Sequence, residues 1–248
     1  MEVSPQIDQL QADGELLVSL AGAVDLMGDV PTCPGWTVAD LLHHLGGVHR
    51  WATGFVRGTG RQPEDGDLEP FVGGWPPDEH LAEWLREGHA DLVDALRTAP
   101  DDLDTWTFMA APSPRAFWAR RQAHETAIHR VDAETAAGDV TGFPIAFAVD
   151  GIDELLTGFA PRALELHHID RPRLMAVDAT DADATWLVSL NPNGISTRAD
   201  VDEAPDASIG GTASSLYRYL WNRGGEIRVD GDEDVPRLWA ETVRVTWS

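Results

Sequence analysis

The stretch SPRAFWARRQAHETAIHRVDAETAAG, residues 113–138, carries the clearest helix signal of the chain and its most informative polar side chains. Ser113 followed by Pro114 is typical of a helix start, because the hydroxyl accepts a backbone hydrogen bond and proline suits the first helical position. Gly138 favours the end of the helix, since glycine adopts the left-handed conformation often found there. We therefore expect one long helix between these residues.

Within this helix, the segment HETAIH, residues 124–129, is similar to the H-E-x-x-H motif of zinc proteases but is one residue too long. At about 100° per residue, Glu125 and His129 share a helix face, whereas His124 lies about 140° away from His129. A carboxylate and an imidazole one turn apart can bind zinc or iron together, and a third ligand must come from another helix. A salt-bridged helix face is the alternative interpretation.

Further helices are predicted on both sides of this one, each from apolar residues at helical spacing. They cover about residues 5–27, 37–56, 78–98 and 145–166. Thr37 and Asp40 form a capping-box pattern at the start of the second of them, and Pro161 is expected to kink or end the last. Four or five helices joined by loops indicate a bundle.

Beyond about residue 172 the pattern changes to short stretches that alternate apolar and polar residues, which is typical of strands. Examples are ATWLVSL at 184–190 and EIRVDG at 226–231, and two short helical segments accompany them at 214–223 and 234–245. The predicted fold class is therefore α + β. An up-down helical bundle is expected over residues 1–170, followed by a small α+β domain over residues 171–248.

Composition and charge limit the classes of partner that the chain can bind. The formal net charge is -24, and none of the 18 basic residues is a lysine. Such a surface repels phosphate, so we expect neither nucleic acid nor membrane as a partner. The single cysteine, Cys33, excludes an intramolecular disulfide, and no apolar window is long enough for a membrane helix. Without a signal-peptide pattern, a cytoplasmic location is expected.

Two segments together resemble a known family. They are PTCPGWTVADLLHHLGGVHRW at 31–51 and RRQAHETAIHRVDAE at 120–134, and they resemble the mycothiol-dependent maleylpyruvate isomerase family of the DinB-like metal-binding superfamily. In that family a histidine of the second helix and an E-x-x-x-H pair on a later helix hold a metal. The resemblance assigns these roles to His44, Glu125 and His129. It thus implies a DinB-like bundle that binds Zn²⁺ or another divalent ion.

The C-terminal segment SSLYRYLWNRGGEIRVDG, residues 214–231, is similar to the sterol-carrier-like domain of the same family. An arginine of this domain approaches the active site in the family, and its position corresponds to Arg223. The resemblance implies a catalytic role for Arg223 in holding a substrate carboxylate. Taken alone, the same residue is typical of a cation near a helix end, next to Gly224.

Three protein ligands on zinc leave a fourth position open, as in reactive sites, and a thiol that enters it loses its proton. By resemblance we expect an enzyme that uses mycothiol, a small-molecule thiol, to isomerise a small electrophilic substrate or to add the thiol to it. A hydrolase with an activated water, a ferrous oxygenase and a non-catalytic or regulatory metal-binding protein are the alternatives. The sequence predicts neither the identity of the electrophile nor the oligomeric state.

Residues close to His44 in sequence are expected to be structural. His43 and His49 are rotated off its helix face, and Trp36 is expected to pack in the core. Cys33 precedes His44 by eleven residues, about 16 Å along a straight helix, so an idle thiol is expected. The pair Gly46-Gly47 fits either close helix packing or room for a ligand.

Asp132, one turn beyond His129, is a candidate to accept the proton of the second imidazole nitrogen and so to orient the ring. An arginine, Arg121 or Arg130, is an equally good candidate for the partner of Asp132.

Overall fold

The computed structural model describes residues 1–62, 68–163, 166, 169–199 and 203–245. These residues form two compact units, of which the first ends at Thr141 and the second begins at Gly142. Over the described part of the chain, no helix is both long enough and apolar enough to cross a membrane.

The first unit is a helical bundle. Its helices are α1 (Val3–Ala21), α2 (Val38–Val56), the short α3 (Glu69–Val72), α4 (Leu81–Thr98) and α5 (Pro114–Ala137). Both α1 and α2 pack against α4 and against α5. Fully buried leucines from α1, α2 and α4 fill the interior between them, and each contributes about 1.5–3 kcal/mol by burial.

The directions of the long helices follow from the residue pairs that meet across them. Asp8 near the start of α1 pairs with Arg97 near the end of α4, so these two helices are antiparallel. Arg57 at the end of α2 pairs with Asp91 and Asp94 late in α4, so α2 and α4 are parallel. His44 and His49 of α2 meet His129 and Thr126 of α5, so α2 and α5 are antiparallel and the four long helices run up, down, down and up.

Local capping explains where the two site-bearing helices begin. The Thr37 hydroxyl accepts from the Asp40 amide at 3.2 Å, and the Asp40 carboxylate accepts from the Thr37 amide at 2.8 Å. At the start of α5, the Ser113 hydroxyl accepts from the Ala116 amide at 3.1 Å, and the helix ends at Gly138 with φ of 93°. The predicted capping box and the predicted long helix are both confirmed.

The second unit contains a sheet covered by helices. In chain order its elements are α6 (Ile145–Glu154), β1 (Arg173–Ala179), β2 (Ala184–Asn191), β3 (Gly194–Arg198), β4 (Ala207–Gly211), α7 (Ala213–Leu220), β5 (Arg228–Gly231) and α8 (Asp234–Thr242). The described strands form one sheet in the order β3-β2-β1-β4-β5, in which only the β1–β4 pair is parallel. A helical unit followed by a mixed sheet confirms the predicted α + β class.

Helix α6 belongs to the second unit, so the units divide earlier than the residue 170 expected from the sequence. The Phe143 and Phe147 rings pack against the Tyr217 ring of α7, with centroids 5.1 and 6.2 Å apart. The Phe143 amide also donates to the Ser214 hydroxyl at 3.0 Å. These contacts hold α6 against α7, although the apolar residues of α6 have the same helical spacing as those of the bundle helices. The regular α-helix ends earlier than the expected Pro161, at Glu154. A π-helical turn at Leu155–Phe159 and a 3-10 turn at Ala160–Arg162, which contains the proline, follow it.

Candidate metal centre

Two imidazoles and one carboxylate meet at the centre of the bundle. His44 comes from α2, whereas Glu125 and His129 lie one turn apart on α5. Glu125 Oε1 is 3.4 Å from His44 Nε2 and 3.3 Å from His129 Nε2. The two imidazole centroids are 5.0 Å apart. All three side chains point to one place, with their ligating atoms within 4.8 Å of one another.

These distances fit a tetrahedral divalent ion. Zinc binds imidazole nitrogen and carboxylate oxygen at about 2.0–2.1 Å, so two such atoms on one tetrahedron lie about 3.3 Å apart. The separations from Glu125 Oε1 to the two histidine nitrogens are 3.3 and 3.4 Å. Two neutral imidazoles and one carboxylate are also donors that zinc and iron accept. The two separations that involve Glu125 Oε1 therefore match a tetrahedral ion, and all three ligating atoms lie within 4.8 Å of one another.

The second nitrogen of His129 is held by a buried carboxylate. His129 Nδ1 lies 2.9 Å from Asp132 Oδ2, and Asp132 is fully buried. Ligating histidines usually carry such a partner, which fixes the tautomer and the orientation of the ring. Burial alone would lower the pKa of His129, but its hydrogen bonds to Asp132 and Glu125 prevail and raise the pKa to about 9. The carboxylate partner of His129 is thus Asp132, which was one of the candidates from the sequence.

Asp132 is itself held by two side chains that the sequence analysis did not connect with the site. The Thr32 hydroxyl donates to Asp132 Oδ1 at 2.6 Å, and the Cys33 thiol donates to Oδ2 at 3.3 Å. The estimate of about 16 Å along a straight helix is wrong for Cys33. Its segment precedes α2 and folds back as a turn, in which the Val30 amide donates to the Trp36 carbonyl at 2.9 Å.

Trp36 covers the site instead of packing only in the core. Its ring centroid lies 5.0 Å from that of His44 and 6.4 Å from that of His129, and it stacks on the second ring at 19°. The same fold-back turn that carries Cys33 brings this indole over both imidazoles. Periodicity along α2 contains no signal for this contact, because Trp36 precedes the helix.

Arg121 balances the charge of the carboxylate. Its Nη2 donates to Glu125 Oε2 at 3.1 Å, and both side chains are buried. Burial would raise the pKa of Glu125, but hydrogen bonds from His129 and His44 and the charge of Arg121 hold it well below the usual value. Arg130, the other candidate arginine, instead pairs with Asp13 at 2.9 Å.

The remaining histidines of these two helices point away from the triad. His43 Nε2 lies 3.3 Å from the Pro76 carbonyl, and His49 Nε2 lies 2.9 Å from the Thr126 hydroxyl. His124 is fully buried and interacts electrostatically with Asp13 of α1. Helical rotation alone predicted these orientations.

The two glycines after His44 serve close packing. A Cβ atom on Gly46 would lie 2.1 Å from the Trp84 ring, and one on Gly47 would lie 3.1 Å from Leu68. Of the two explanations offered by the sequence, the structure supports packing of side chains against α2.

Arg223 lies in the second unit, just beyond α7. Its Nη1 donates to the Trp221 carbonyl at 2.8 Å, and its amide donates to the Arg218 carbonyl at 2.8 Å. This placement agrees with the helix-end position expected from the sequence. Its catalytic role stays a prediction.

Fold and site define a class: a helical bundle with a central two-histidine, one-carboxylate cluster, joined to a small α+β unit. Within that class, the chain belongs to the mycothiol maleylpyruvate isomerase family. The family model described as mycothiol maleylpyruvate isomerase N-terminal domain matches residues 7–134, and the one described as MDMPI C-terminal domain matches residues 146–238. No match to the chain is found among curated proteins.

Two solved structures share the fold over most of the chain. A mycothiol-dependent maleylpyruvate isomerase is 14% identical, with a TM-score of 0.65 and 93% of each chain covered. A histidine-to-alanine mutant of a mycothiol-dependent maleylpyruvate isomerase gives a TM-score of 0.66 at the same identity and coverage. At this identity the likeness establishes the arrangement of helices and strands.

Proposed function

We propose that the protein is a divalent-metal-dependent enzyme that uses mycothiol to isomerise a small electrophile or to transfer the thiol to it. Family membership supports an isomerase that depends on mycothiol. The observation that carries the metal-dependent part is the convergence of His44, Glu125 and His129 within 4.8 Å. Two imidazoles and one carboxylate form a donor set that Zn²⁺ accepts, and ferrous iron accepts the same donors.

In this proposal His44, Glu125 and His129 hold the ion, and Asp132 orients the ring of His129. Bound zinc would stabilise the thiolate form of a thiol at neutral pH. The three donors carry a single negative charge, which leaves a positive charge at the site and favours an anionic fourth ligand. Trp36 shields the two imidazoles from water on one side, which strengthens the electrostatic attraction.

Arg223 completes the proposal as the residue that holds a substrate carboxylate. Its segment resembles the C-terminal domain of the family, and a guanidinium binds a carboxylate through two parallel hydrogen bonds. The electrophile that matches such a residue is an unsaturated diacid, in which thiol addition, bond rotation and elimination exchange cis for trans. Addition without elimination would give the S-transferase reaction.

Metal content and thiol dependence test this function together. The purified full-length protein is analysed for bound metal, stripped with a chelator, and assayed on maleylpyruvate with added Zn²⁺ and mycothiol. We expect turnover only when both are present. Turnover without a thiol would replace the proposal with a hydrolase, and full turnover by the stripped protein would refute the role of the metal.

Zinc binding is expected to strengthen as the pH rises from 7 to 9. His129 is protonated below its pKa of about 9 in the metal-free protein, whereas burial lowers the pKa of His44 and keeps it neutral. A ligating imidazole must be neutral, so each bound ion displaces one proton from His129. The affinity should rise roughly tenfold per pH unit and level off above pH 9.

Chelator competition at a series of pH values, corrected for protonation of the chelator, measures how zinc affinity changes with pH. The Asp132→Asn variant is the matched control, because it removes one of the two carboxylates that raise the pKa of His129 and should move the levelling-off of the profile to lower pH. An affinity in the wild type that does not change between pH 7 and 9 would contradict the assigned protonation.

A further inference from the structure

The turn before α2 contacts the metal centre at two points. The Thr32 hydroxyl and the Cys33 thiol both donate to Asp132, the carboxylate that holds His129 Nδ1. Later in the same turn, the Trp36 ring lies over both imidazoles of the triad and stacks on that of His129 at 19°. The turn therefore approaches His129 from the edge of its ring, through Asp132, and from the face of its ring, through Trp36.

The backbone of this turn is held by its own hydrogen bonds. The Val30 amide donates to the Trp36 carbonyl at 2.9 Å, and the Val38 amide donates to the Gly28 carbonyl at 2.9 Å. Gly35 has φ of 87°, a left-handed conformation that glycine adopts without strain. The turn thus presents its side chains to the site from a fixed backbone.

Thr32 makes the shorter of the two contacts between the turn and Asp132. The two oxygen atoms are 2.6 Å apart, which fits the range of about 2.5–2.7 Å for a charge-assisted bond from a hydroxyl to a carboxylate. Cys33 Sγ lies 3.3 Å from Asp132 Oδ2, and a thiol is a weak donor. Asp132 is fully buried, so its charge depends on hydrogen-bond donors around it. The Thr32 hydroxyl is therefore the stronger of these two donors.

We propose that Thr32 is a positioning residue of the metal centre. It fixes one oxygen of Asp132, Oδ1, and the other oxygen, Oδ2, then holds the ring of His129 at the angle that the ion requires. Rotation of the carboxylate would turn this ring, because His129 Nδ1 and Asp132 Oδ2 are only 2.9 Å apart. Thr32 acts on the ion only through these two hydrogen bonds. The inference rests on the proposed function, since it needs an ion at the triad.

Thr32→Val tests this role, because valine has nearly the shape of threonine but no hydroxyl. Zinc affinity of the full-length protein, measured by chelator competition, should fall about fivefold, a smaller loss than the 10- to 100-fold typical of an outer-shell partner itself. Thr32→Ser keeps the hydroxyl and should bind zinc within about twofold of the wild type. Equal affinities of the wild type and Thr32→Val would overturn the inference.

Thr37→Val is the matched control for a general loss of stability. Thr37 lies in the same segment, and its hydroxyl also donates to an aspartate, Asp40, at 2.7 Å, but this bond is exposed and belongs to the cap of α2. Loss of the cap should lower the resistance to urea, whereas zinc affinity should stay within about twofold of the wild type. Equal losses of affinity in Thr37→Val and Thr32→Val would assign the effect to stability and contradict a positioning role.

The visible spectrum of bound Co²⁺ gives a readout that stability alone does not change. Its bands depend on the geometry of the ligands, so Thr32→Val saturated with Co²⁺ should differ from the wild type, and Thr32→Ser should match it. Identical spectra of all three proteins would exclude an effect of Thr32 on the ligands. If Thr32→Val does not fold, Thr32→Ala removes the same hydroxyl and replaces it in both measurements.

The two proposals fail in different ways. A wild type that binds neither Zn²⁺ nor Co²⁺ would refute the proposed metal centre, and the role of Thr32 with it. A wild type that binds the ion while Thr32→Val binds it equally well would refute only the role of Thr32.

Discussion

The His44→Ala protein is expected to lose zinc affinity by more than about 100-fold, together with its thiol-dependent turnover. Loss of even an outer-shell partner of a metal ligand usually reduces affinity 10- to 100-fold, and His44 would be a direct ligand. It is also the only member of the triad that α2 supplies. Its removal leaves Glu125 and His129, which lie on one face of α5 and hold an ion from one side only.

His43→Ala is the matched control for this change. It removes the same chemical group one residue away, where the ring contacts the Pro76 carbonyl instead of Glu125. We expect zinc affinity within about twofold of the wild type, as measured by chelator competition and elemental analysis. Equal losses in the two variants would indicate general damage to α2, and no loss in His44→Ala would remove it from the metal site.

The Arg130→Met variant should lower the free energy of unfolding of the helical unit by about 3–5 kcal/mol. Arg130 Nε lies 2.9 Å from Asp13 Oδ1, and Nη1 lies 2.7 Å from Glu134 Oε2. All three side chains are buried, so methionine would leave two carboxylates without a cation between them. Burial already raises the pKa of Asp13, and it would rise further without the charge of Arg130. The loss should therefore be smaller at pH 5 than at pH 7.

Urea denaturation, followed through the tryptophans of the helical unit, measures this change. Arg97→Met is the matched control, because Arg97 of α4 likewise pairs with an aspartate of α1, Asp8, but both of these side chains are exposed. Its effect should stay below about 1 kcal/mol. Equal effects of the two substitutions would contradict the importance of burial for the Arg130 network.

Features that depend on neighbouring residues were predictable from the sequence. The start of α5 follows from Ser113 and Pro114, and its end follows from Gly138. Rotation along a helix was enough to group Glu125 with His129 and to separate His124 from them. Rotation along a helix could not assign His44 to the site, since nothing within α5 indicates which residue of another helix faces Glu125 and His129. The family resemblance supplied that assignment.

Features that depend on the path of the chain between elements were not predictable. Cys33 and Trp36 reach the triad because the turn before α2 folds back, and a distance counted along a straight helix cannot describe it. Likewise, α6 has the apolar pattern of a bundle helix. Its contacts with α7, such as that of Phe147 with Tyr217, reveal that it belongs to the other unit.

The hydrogen bond from Thr32 to Asp132 joins residues 100 positions apart, and it has a consequence for folding. Contacts of such high sequence separation form slowly, because a long loop must close first. The triad has the same property, since α2 and α5 are far apart in the chain. A complete donor set exists only after these helices have docked, so capture of a metal ion would follow assembly of the bundle and would select chains that have finished folding.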